Sequence, residues 1–362
     1  MFKLFVFSIF AVAVVLGALF TYIEIPVIKR HQFGQFIREE GPQSHLVKQG
    51  TPTMGGIAIY LALTIATLIG TKGSQDSLVI IFVGFIYGLI GFADDFIKVA
   101  AKHNLGLRAW QKLVLQIMVG VAFGFYIMKS TDAGSSVWIP FIGIDIDFGS
   151  VLFPAFVAFV MVAMSNSVNL SDGMDGLCAG VSGIFSVFFA YVVISCGYLD
   201  SGIYLLATAG ACVGFLFFNK YPAKIFMGDT GSLFLGFILS VMAIEGTVKS
   251  TTLIAVIVPV LALAVPIFDT AFAIIRRKLA GKPIMQADKG HLHHRLLAKG
   301  LSQRQTVLVL YAASAILGAS AVLITHMKLI YGILIIIVDF MFIGYSVYRL
   351  KILHHDQHDV EK

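Results

Sequence analysis

The chain has 362 residues, of which 58% are hydrophobic and only 13% are charged. A soluble protein would carry roughly 25% charged residues, so the composition and a mean hydropathy of +0.90 exclude an ordinary soluble enzyme. The net charge is +6, but there is no basic face interleaved with aromatic residues, so no nucleic-acid partner is expected. The cysteines lie within apolar segments without a C-x-x-C spacing, which argues against a zinc site or a redox pair.

Apolar runs recur along the whole chain. A helix that crosses a membrane needs about 20 predominantly apolar residues. Eleven segments approach that length, namely 4–23, 54–71, 78–97, 111–128, 151–168, 178–196, 203–218, 231–248, 252–275, 306–325 and 329–348. The first run lacks a small-residue cleavage site and is interpreted as a retained helix, not a signal peptide. The predicted fold is therefore all-α, a polytopic membrane helical bundle of about 10–11 transmembrane helices, in a single domain over residues 1–362.

The connections between these spans alternate between basic loops and short or acidic ones. Because basic loops stay in the cytoplasm, we expect the amino terminus outside and the carboxyl terminus inside. The predicted cytoplasmic loops are 24–53, 98–112, 165–177, 219–230 and 276–305. All charge-bearing motifs then fall on the cytoplasmic side, where they would form one cleft. The moderately apolar stretch 140–150 is predicted to form a small hairpin on the opposite side.

Two adjacent carboxylates, Asp94 and Asp95, end the third predicted span. Adjacent carboxylates repel each other and are expected to gain nothing structurally, whereas ionisable residues in a membrane segment are functional candidates by default. Their chemistry suits Mg²⁺ or a phosphate-bearing nucleophile. The alternative is a solvated helix end at which Lys98 pairs with them at i+3 or i+4.

A second motif, Asn169-Leu-Ser-Asp172-Gly173-Met-Asp175-Gly176, follows the fifth predicted span. Asp172 and Asp175 are three residues apart and share a face if the segment turns helically. The glycines permit close approach of a ligand to the backbone. The alternative is an ordinary polar turn.

A third motif, Phe226-Met-Gly-Asp229-Thr230-Gly-Ser232, opens the eighth span. Asp229 is a candidate metal ligand, and the helix amides behind it face an anion. Thr230 or Ser232 is expected to cap the helix, which is compatible with that function.

The fourth motif, His291-Leu292-His293-His294-Arg295, lies in the most basic loop. Three histidines in four positions beside basic residues favour anion binding, with zinc as the competing chemistry. Asp269, in the ninth span, either pairs with the nearby Arg276 or takes part directly in catalysis.

Together these motifs resemble those of the polyprenyl-phosphate N-acetylhexosamine-1-phosphate transferases over nearly the whole chain. Within that family, residues 37–42, His45 and residues 48–56 are similar to the first loop of the phospho-N-acetylmuramoyl-pentapeptide transferases. The resemblance implies that undecaprenyl phosphate attacks a UDP-sugar and releases UMP, with Mg²⁺ as cofactor. The donor implied by the first loop is UDP-N-acetylmuramoyl-pentapeptide.

The carboxyl third departs from that pattern. The muramyl enzymes usually carry three consecutive histidines followed by Phe-Glu, and ten spans. Here Leu292 interrupts the histidines, Arg295 follows them and an eleventh span is present. The segment Pro266-Ile-Phe-Asp269-Thr resembles transferases that use UDP-N-acetylglucosamine for teichoic acid or O-antigen linkage units. That donor remains the alternative.

The resemblance also assigns roles to residues. Asp229 would be the Mg²⁺ ligand, Asp94 and Asp95 would orient the lipid phosphate or take its proton, and Asp172 would complete the polar core. Phe226 would stack on uracil, and His293 and His294 would hold the diphosphate. The remaining residues expected in the nucleotide and diphosphate pocket are Lys48, Thr53, Asn166, Asn169, Gly173, Asp175, Asn219 and His291.

The implied setting is a bacterial inner membrane, with a multi-pass enzyme whose active site faces the cytoplasm among membrane lipids. Nucleoside-type inhibitors are expected to bind, and a homodimer is compatible with the resemblance. A secondary transporter is the rival from another class. Its charges would gather near the bilayer midplane between repeats, whereas these are predicted at one face.

Overall fold

The computed structural model of the chain describes residues 2–30, 50–101, 105–131, 134–139, 144–249, 259–261, 263–283 and 290–351. The helices are α1 (Phe2–Arg30), α2 (Gly56–Thr71), α3 (Gln75–Ala100), α4 (Ala109–Ser130), α5 (Gly149–Leu170), α6 (Leu177–Ser195), α7 (Leu199–Asn219), α8 (Gly228–Lys249), α9 (Ala264–Leu279), α10 (Leu292–Ala298), α11 (Gln303–His326) and α12 (Leu329–Arg349). A hairpin of β1 (Ser136–Ile139) and β2 (Ile144–Asp147) lies between α4 and α5.

Nine helices are long and apolar enough to cross a membrane, counted over the residues that the structure describes. The prediction of an all-α polytopic bundle is confirmed, and the chain is a multi-pass membrane protein. Helix α2 is a shorter apolar helix of 16 residues. The predicted span 252–275 lies partly outside the described residues, and its described part belongs to α9.

Several helices continue into segments predicted as loops. Helix α1 reaches Arg30, α3 reaches Ala100 and α5 reaches Leu170. Backbone groups near a membrane are satisfied most cheaply within a helix, so a span continues through its polar end. As a result Asn169 is a helical residue of α5, as is Asn166, while Asp94 and Asp95 lie within the last two turns of α3 and not at its end.

Small residues allow α1 and α7 to pack closely. A Cβ on Gly210 would lie 2.4 Å from the Phe10 carbonyl oxygen, and one on Gly214 would lie 2.4 Å from that of Val14. Two glycines four residues apart are the usual device for bringing membrane helices together. Helix α8 is the most enclosed of the candidate spans, with 83% of its apolar window buried, against 11% for α12. The bundle is therefore built around α8, with α12 on the outside.

A hairpin is present but begins before the predicted stretch 140–150, at Ser136, with β1 and β2 antiparallel and Val137 opposite Ile146. Residues 140–143 lie outside the described residues. The Asp147 carboxylate accepts hydrogen bonds from the Ser135 hydroxyl and the Gly149 amide. These bonds favour the charged form and hold the pKa of Asp147 below its usual value. They attach the hairpin to the start of α5.

Candidate active site

The carboxylates of two motifs meet where α3 crosses the beginning of α8. A Cβ on Gly91 would lie only 2.1 Å from the backbone oxygen of Asp229, so the helices touch there without a side chain between them. One turn further along α3, Asp94 and Asp95 reach Asp229, and ligand oxygens of the three carboxylates lie within 4.8 Å of one another. Residues 134 positions apart in sequence thus form one acidic cluster.

Asp95 binds the first turn of α8. Its Oδ1 accepts the Asp229 amide at 3.1 Å, and its Oδ2 accepts the Thr230 amide at 2.9 Å and the Thr230 hydroxyl at 2.7 Å. A helix leaves its first amides without internal partners, and a carboxylate there satisfies them and complements the helix dipole. The expectation that the adjacent carboxylates gain nothing structurally is therefore wrong for Asp95.

Asp94 uses different partners. Its Oδ1 accepts the Leu107 amide at 2.8 Å, and its Oδ2 pairs with the Lys98 ammonium. Asp94 and Asp95 are only 1% and 4% exposed. The alternative of a solvated helix end is thus wrong, although the pairing with Lys98 at i+4 is present.

Two lysines complete the cluster, and sequence reasoning did not assign either to the site. Lys112 Nζ lies 2.8 Å from Asp229 Oδ2 and 3.4 Å from Asp94 Oδ1. Lys98 Nζ lies 3.7 Å from Asp229 Oδ1. Lys98 was recognisable from its i+4 spacing to Asp94, but Lys112 had no signal beyond its basic loop. Three carboxylates and two ammonium groups leave a net charge of about −1, with oxygen atoms of the kind that Mg²⁺ prefers.

Asn169 connects the second motif to this cluster. Its Nδ2 donates to Asp229 Oδ1 at 3.1 Å and to the Ser232 hydroxyl at 2.8 Å. One turn earlier, Asn166 Nδ2 donates to Gln116 Oε1 at 2.7 Å. The end of α5 therefore braces the end of α8 that carries Asp229.

The rest of the second motif is a turn whose polar side chains bind backbone groups. Asp175 Oδ2 accepts the Ala223 amide at 3.1 Å, and it is buried. Asn219 Oδ1 accepts the Gly176 amide at 3.0 Å, and its Nδ2 donates to the Ile225 carbonyl at 2.8 Å. Asp172 is partly exposed in the same turn. The turn is thereby fixed to the segment that leads into Phe226.

Phe226 lies just before α8 and is partly buried. Its amide donates to the Pro52 carbonyl at 2.8 Å, and its own carbonyl accepts the Gly55 amide at 2.9 Å. Thr53, in the segment between these contacts, is buried, and a Cβ on Gly228 would lie 3.1 Å from its hydroxyl. The segment from the first loop therefore lines the approach to α8, while Lys48 lies outside the described residues.

The histidine motif forms the short helix α10. His291 Nδ1 lies 2.9 Å from Asp269 Oδ2, and Asp269 Oδ1 accepts the Leu292 amide at 2.8 Å. The rings of His291 and His293 are parallel within 4°, with centroids 5.9 Å apart, and those of His293 and His294 are 4.2 Å apart. Asp269 therefore orients the first histidine and fixes the beginning of α10.

The histidines reach the second motif through Gly173. A Cβ on Gly173 would lie 2.6 Å from His293 Nε2. Contacts thus run without a gap from the carboxylate cluster through Asn169 and its turn to His293, His291 and Asp269. All four predicted motifs belong to one continuous polar region.

Comparisons with known proteins identify the family. Residues 77–247 match the profile described as Glycosyl transferase family 4, and residues 48–59 match the Phospho-N-acetylmuramoyl-pentapeptide-transferase signature 1. Proteins of that name from Geobacillus sp. (strain WCH70) and Bacillus pumilus (strain SAFR-032) are 40% and 39% identical over 84% and 87% of this chain, and over 91% and 95% of their own. One from Clostridioides difficile (strain 630) is 44% identical over 63% of this chain and 69% of its own.

The chain belongs to the phospho-N-acetylmuramoyl-pentapeptide transferase family. The family signature covers Lys48 and Thr53, and the broader profile covers the acidic cluster, the turn after α5 and the start of α8. The profile ends before Asp269 and the histidines. The part of the chain that departs from the muramyl pattern is thus the part beyond that profile.

Proposed function

We propose that this protein transfers phospho-N-acetylmuramoyl-pentapeptide from its UDP-linked donor to undecaprenyl phosphate, forming the first lipid-linked intermediate of peptidoglycan synthesis and releasing UMP. The observation that carries the proposal is the cluster of Asp94, Asp229, Lys98 and Lys112 at the end of two membrane helices. It lies in a chain whose relatives, over most of their length, are named for this transfer.

The carboxylate cluster fits Mg²⁺, since its oxygens converge within 4.8 Å and Mg²⁺ binds through one or two carboxylates together with substrate phosphates. Asp229, with Asp94 beside it, would hold the ion. When bound, Mg²⁺ would neutralise charge on the diphosphate and make the two anionic substrates compatible. Lys98 and Lys112 would add fixed positive charge for the same purpose.

The acceptor phosphate needs to be positioned more than deprotonated. A phosphate monoester has its second pKa near 6, so it is already mostly dianionic at neutral pH. Its oxygen attacks the β-phosphorus of the donor, the bond to the α-phosphate oxygen breaks, and UMP leaves with that oxygen. Asp94 would orient the acceptor or take a residual proton, and Lys112 would bind its phosphate. A lipid acceptor also explains why the cluster lies at helix ends.

The donor would extend from the first loop to α10. Phe226 would stack on uracil, with Lys48 and Thr53 nearby from the first loop. Asn166, Asn169, Asp172, Asp175 and Asn219 would shape the polar wall of the pocket. His293 and His294 would bind the diphosphate, with Gly173 leaving room beside them, and His291 would act through its contact with Asp269. Nucleoside-type compounds that mimic the UDP-sugar would compete for this pocket.

Two of the departures in the carboxyl third, Leu292 and Arg295, are no argument for the UDP-N-acetylglucosamine donor. Leu292 packs in a cluster with Leu350, and Arg295 donates to the carbonyl oxygens of Leu350 and Lys351. Arg295 thus binds the carboxyl end of α12, the eleventh predicted span, and Leu292 packs against the same apolar cluster as Leu350, so both side chains have structural partners that do not depend on the sugar. The basic loops support a location in the bacterial inner membrane with the site facing the cytoplasm.

The test is UMP release by the purified protein with undecaprenyl phosphate and Mg²⁺, with UDP-N-acetylmuramoyl-pentapeptide and UDP-N-acetylglucosamine in parallel reactions. We expect turnover with the pentapeptide donor and loss of that turnover when EDTA replaces Mg²⁺. Turnover with UDP-N-acetylglucosamine alone would refute the proposed donor. If UMP is released with neither donor, the proposal that this protein is a transferase is refuted.

A further inference from the structure

Helix α10, which carries the histidines, is held by α12 at the opposite end of the chain. Arg295 Nη1 donates to the Lys351 carbonyl at 2.6 Å and to the Leu350 carbonyl at 3.3 Å. Its Nε donates to the Gly290 carbonyl at 3.0 Å, just before the first histidine. One buried guanidinium thus connects the carboxyl end of α12 to both the middle and the entrance of α10.

Further contacts strengthen this connection. Lys299, at the end of α10, donates from Nζ to the Arg349 carbonyl. Leu292, Leu296 and Leu350 belong to one apolar cluster. The last carbonyls of a helix have no internal partner, and basic side chains satisfy them and complement the negative end of the dipole. The contacts are therefore specific to the place where α12 ends.

Helix α10 has seven residues, and so short a helix is unstable by itself in the absence of tertiary contacts. Its position must come from its neighbours. Asp269 fixes its first amide, and the carboxyl end of α12 fixes its other end through Arg295 and Lys299. His293 and His294 lie between these two attachments.

Helix α12 lies at the edge of the bundle, where it packs against α11 and where the Phe340 ring lies 6.3 Å from the Phe268 ring of α9. Most of its surface is exposed on the outside of the bundle. A cavity of about 120 Å³ separates part of it from α9, α10 and α11. Within the membrane segment, its attachment to α11 includes the hydrogen bond from the Ser320 hydroxyl to Asp339 Oδ1 at 3.1 Å. Three side-chain hydrogen bonds, donated by Arg295 and Lys299, reach the carbonyl oxygens of residues 349–351 at the carboxyl end of α12.

We propose that α12 is a brace that positions His293 and His294 for the diphosphate of the donor, with Arg295 as the positioning residue that transmits it. This inference rests on the proposed function, because it assigns the histidines to the donor diphosphate. Helix α12, the eleventh predicted span, and Arg295, which follows the histidines, then share one role. Arg295 acts through α10 and is not itself in contact with the substrate.

The experiment compares the binding of UDP and of uridine to purified protein in detergent, because only UDP carries the diphosphate. We expect Arg295→Gln to weaken UDP binding by about tenfold, the factor for losing a hydrogen bond at a charged group, while uridine binding stays unchanged. Deletion of residues 328–362 should have the same effect, and adding Arg295→Gln to that deletion should weaken UDP binding little further. Deletion of residues 352–362, which leaves the carbonyls of Leu350 and Lys351 in place, is the matched control.

If Arg295→Gln binds UDP as tightly as the wild type, the proposed role of α12 as a brace is refuted. It is also refuted if the affinities for UDP and uridine fall equally, because such a result indicates a general loss of structure. If the longer deletion does not fold, Arg295→Gln and Lys299→Met decide the question, and Arg295→Lys should recover part of the UDP affinity. Both ligands are measured without turnover. A wild-type protein that binds UDP but releases no UMP would therefore reject the proposed function without rejecting the brace.

Discussion

Removing the Thr230 hydroxyl should slow turnover without changing any charge in the site. That hydroxyl donates to Asp95 Oδ2 at 2.7 Å, and both residues are buried. A hydrogen bond to a charged group contributes about 1.5–3 kcal/mol, and about 1.4 kcal/mol corresponds to a factor of ten. Thr230→Val keeps the shape of the side chain but loosens the turn that aims the Asp229 carboxylate. We expect it to lower kcat by about tenfold or more.

Asp95→Asn should lower kcat more than Thr230→Val does. The new NH2 group cannot accept a hydrogen bond, and it replaces one of the two oxygens that accept from the first turn of α8. The two substitutions act on one hydrogen-bonded unit, so their effects should not add in the double variant. The assay is UMP release at saturating substrates over a series of Mg²⁺ concentrations. Thermal unfolding in detergent identifies variants that have lost the fold.

Two controls distinguish the effect of losing the Thr230 hydroxyl from a general destabilisation of α8. Thr230→Ser keeps the hydroxyl and should retain most of the turnover. Ser240→Ala removes a buried hydroxyl from the same helix, where it donates to the Phe237 carbonyl. In a double variant with Asp95→Asn, the effects of the two substitutions on turnover should be additive. The reasoning is refuted if Thr230→Val turns over like the wild type while Asp95→Asn is inactive, since Asp95 would then act directly on substrate or metal.

Four further variants test other parts of the site. Asp229→Ala should abolish turnover while the protein remains folded; near-normal activity would remove Asp229 as the metal ligand. Phe226→Ala should weaken UMP binding by about 1–3 kcal/mol if the ring stacks on uracil, and calorimetry that finds an unchanged affinity contradicts that role. Lys112→Gln removes a cation 2.8 Å from Asp229 Oδ2, so Mn²⁺ should bind the substrate-free protein more tightly in spin-resonance titrations while turnover falls; weaker Mn²⁺ binding would be the contrary result. Asp269→Asn should raise the KM for the UDP-sugar more than the KM for the lipid, because Asp269 fixes the start of α10, and an unchanged donor KM would oppose this.

The sequence by itself determined the class of the protein and the residue types in its site. Apolar runs of membrane length leave no other fold class, and the chemistry of Asp94 was legible because charged groups in such runs are costly. Asp229 and the histidines were legible from the motifs of the loops in which they lie. The family resemblance also followed from local motifs. Each of these inferences depends on residues close together in the chain, or on a residue's own solvation, and needs no knowledge of how the helices pack.

Only the tertiary structure decided which groups are partners. Lys112 pairs with Asp229 across 117 positions, and Arg295 reaches Lys351 across 56. Asp95, adjacent to Asp94 and chemically identical, turned out to cap α8 because the close contact at Gly91 brings the two helices together. A hydrogen bond requires atoms within about 3 Å, and such distances depend on crossing points of helices that are far apart in sequence. Spacing along the chain therefore could not distinguish the roles of Asp94 and Asp95, whereas the packing of α3 against α8 does.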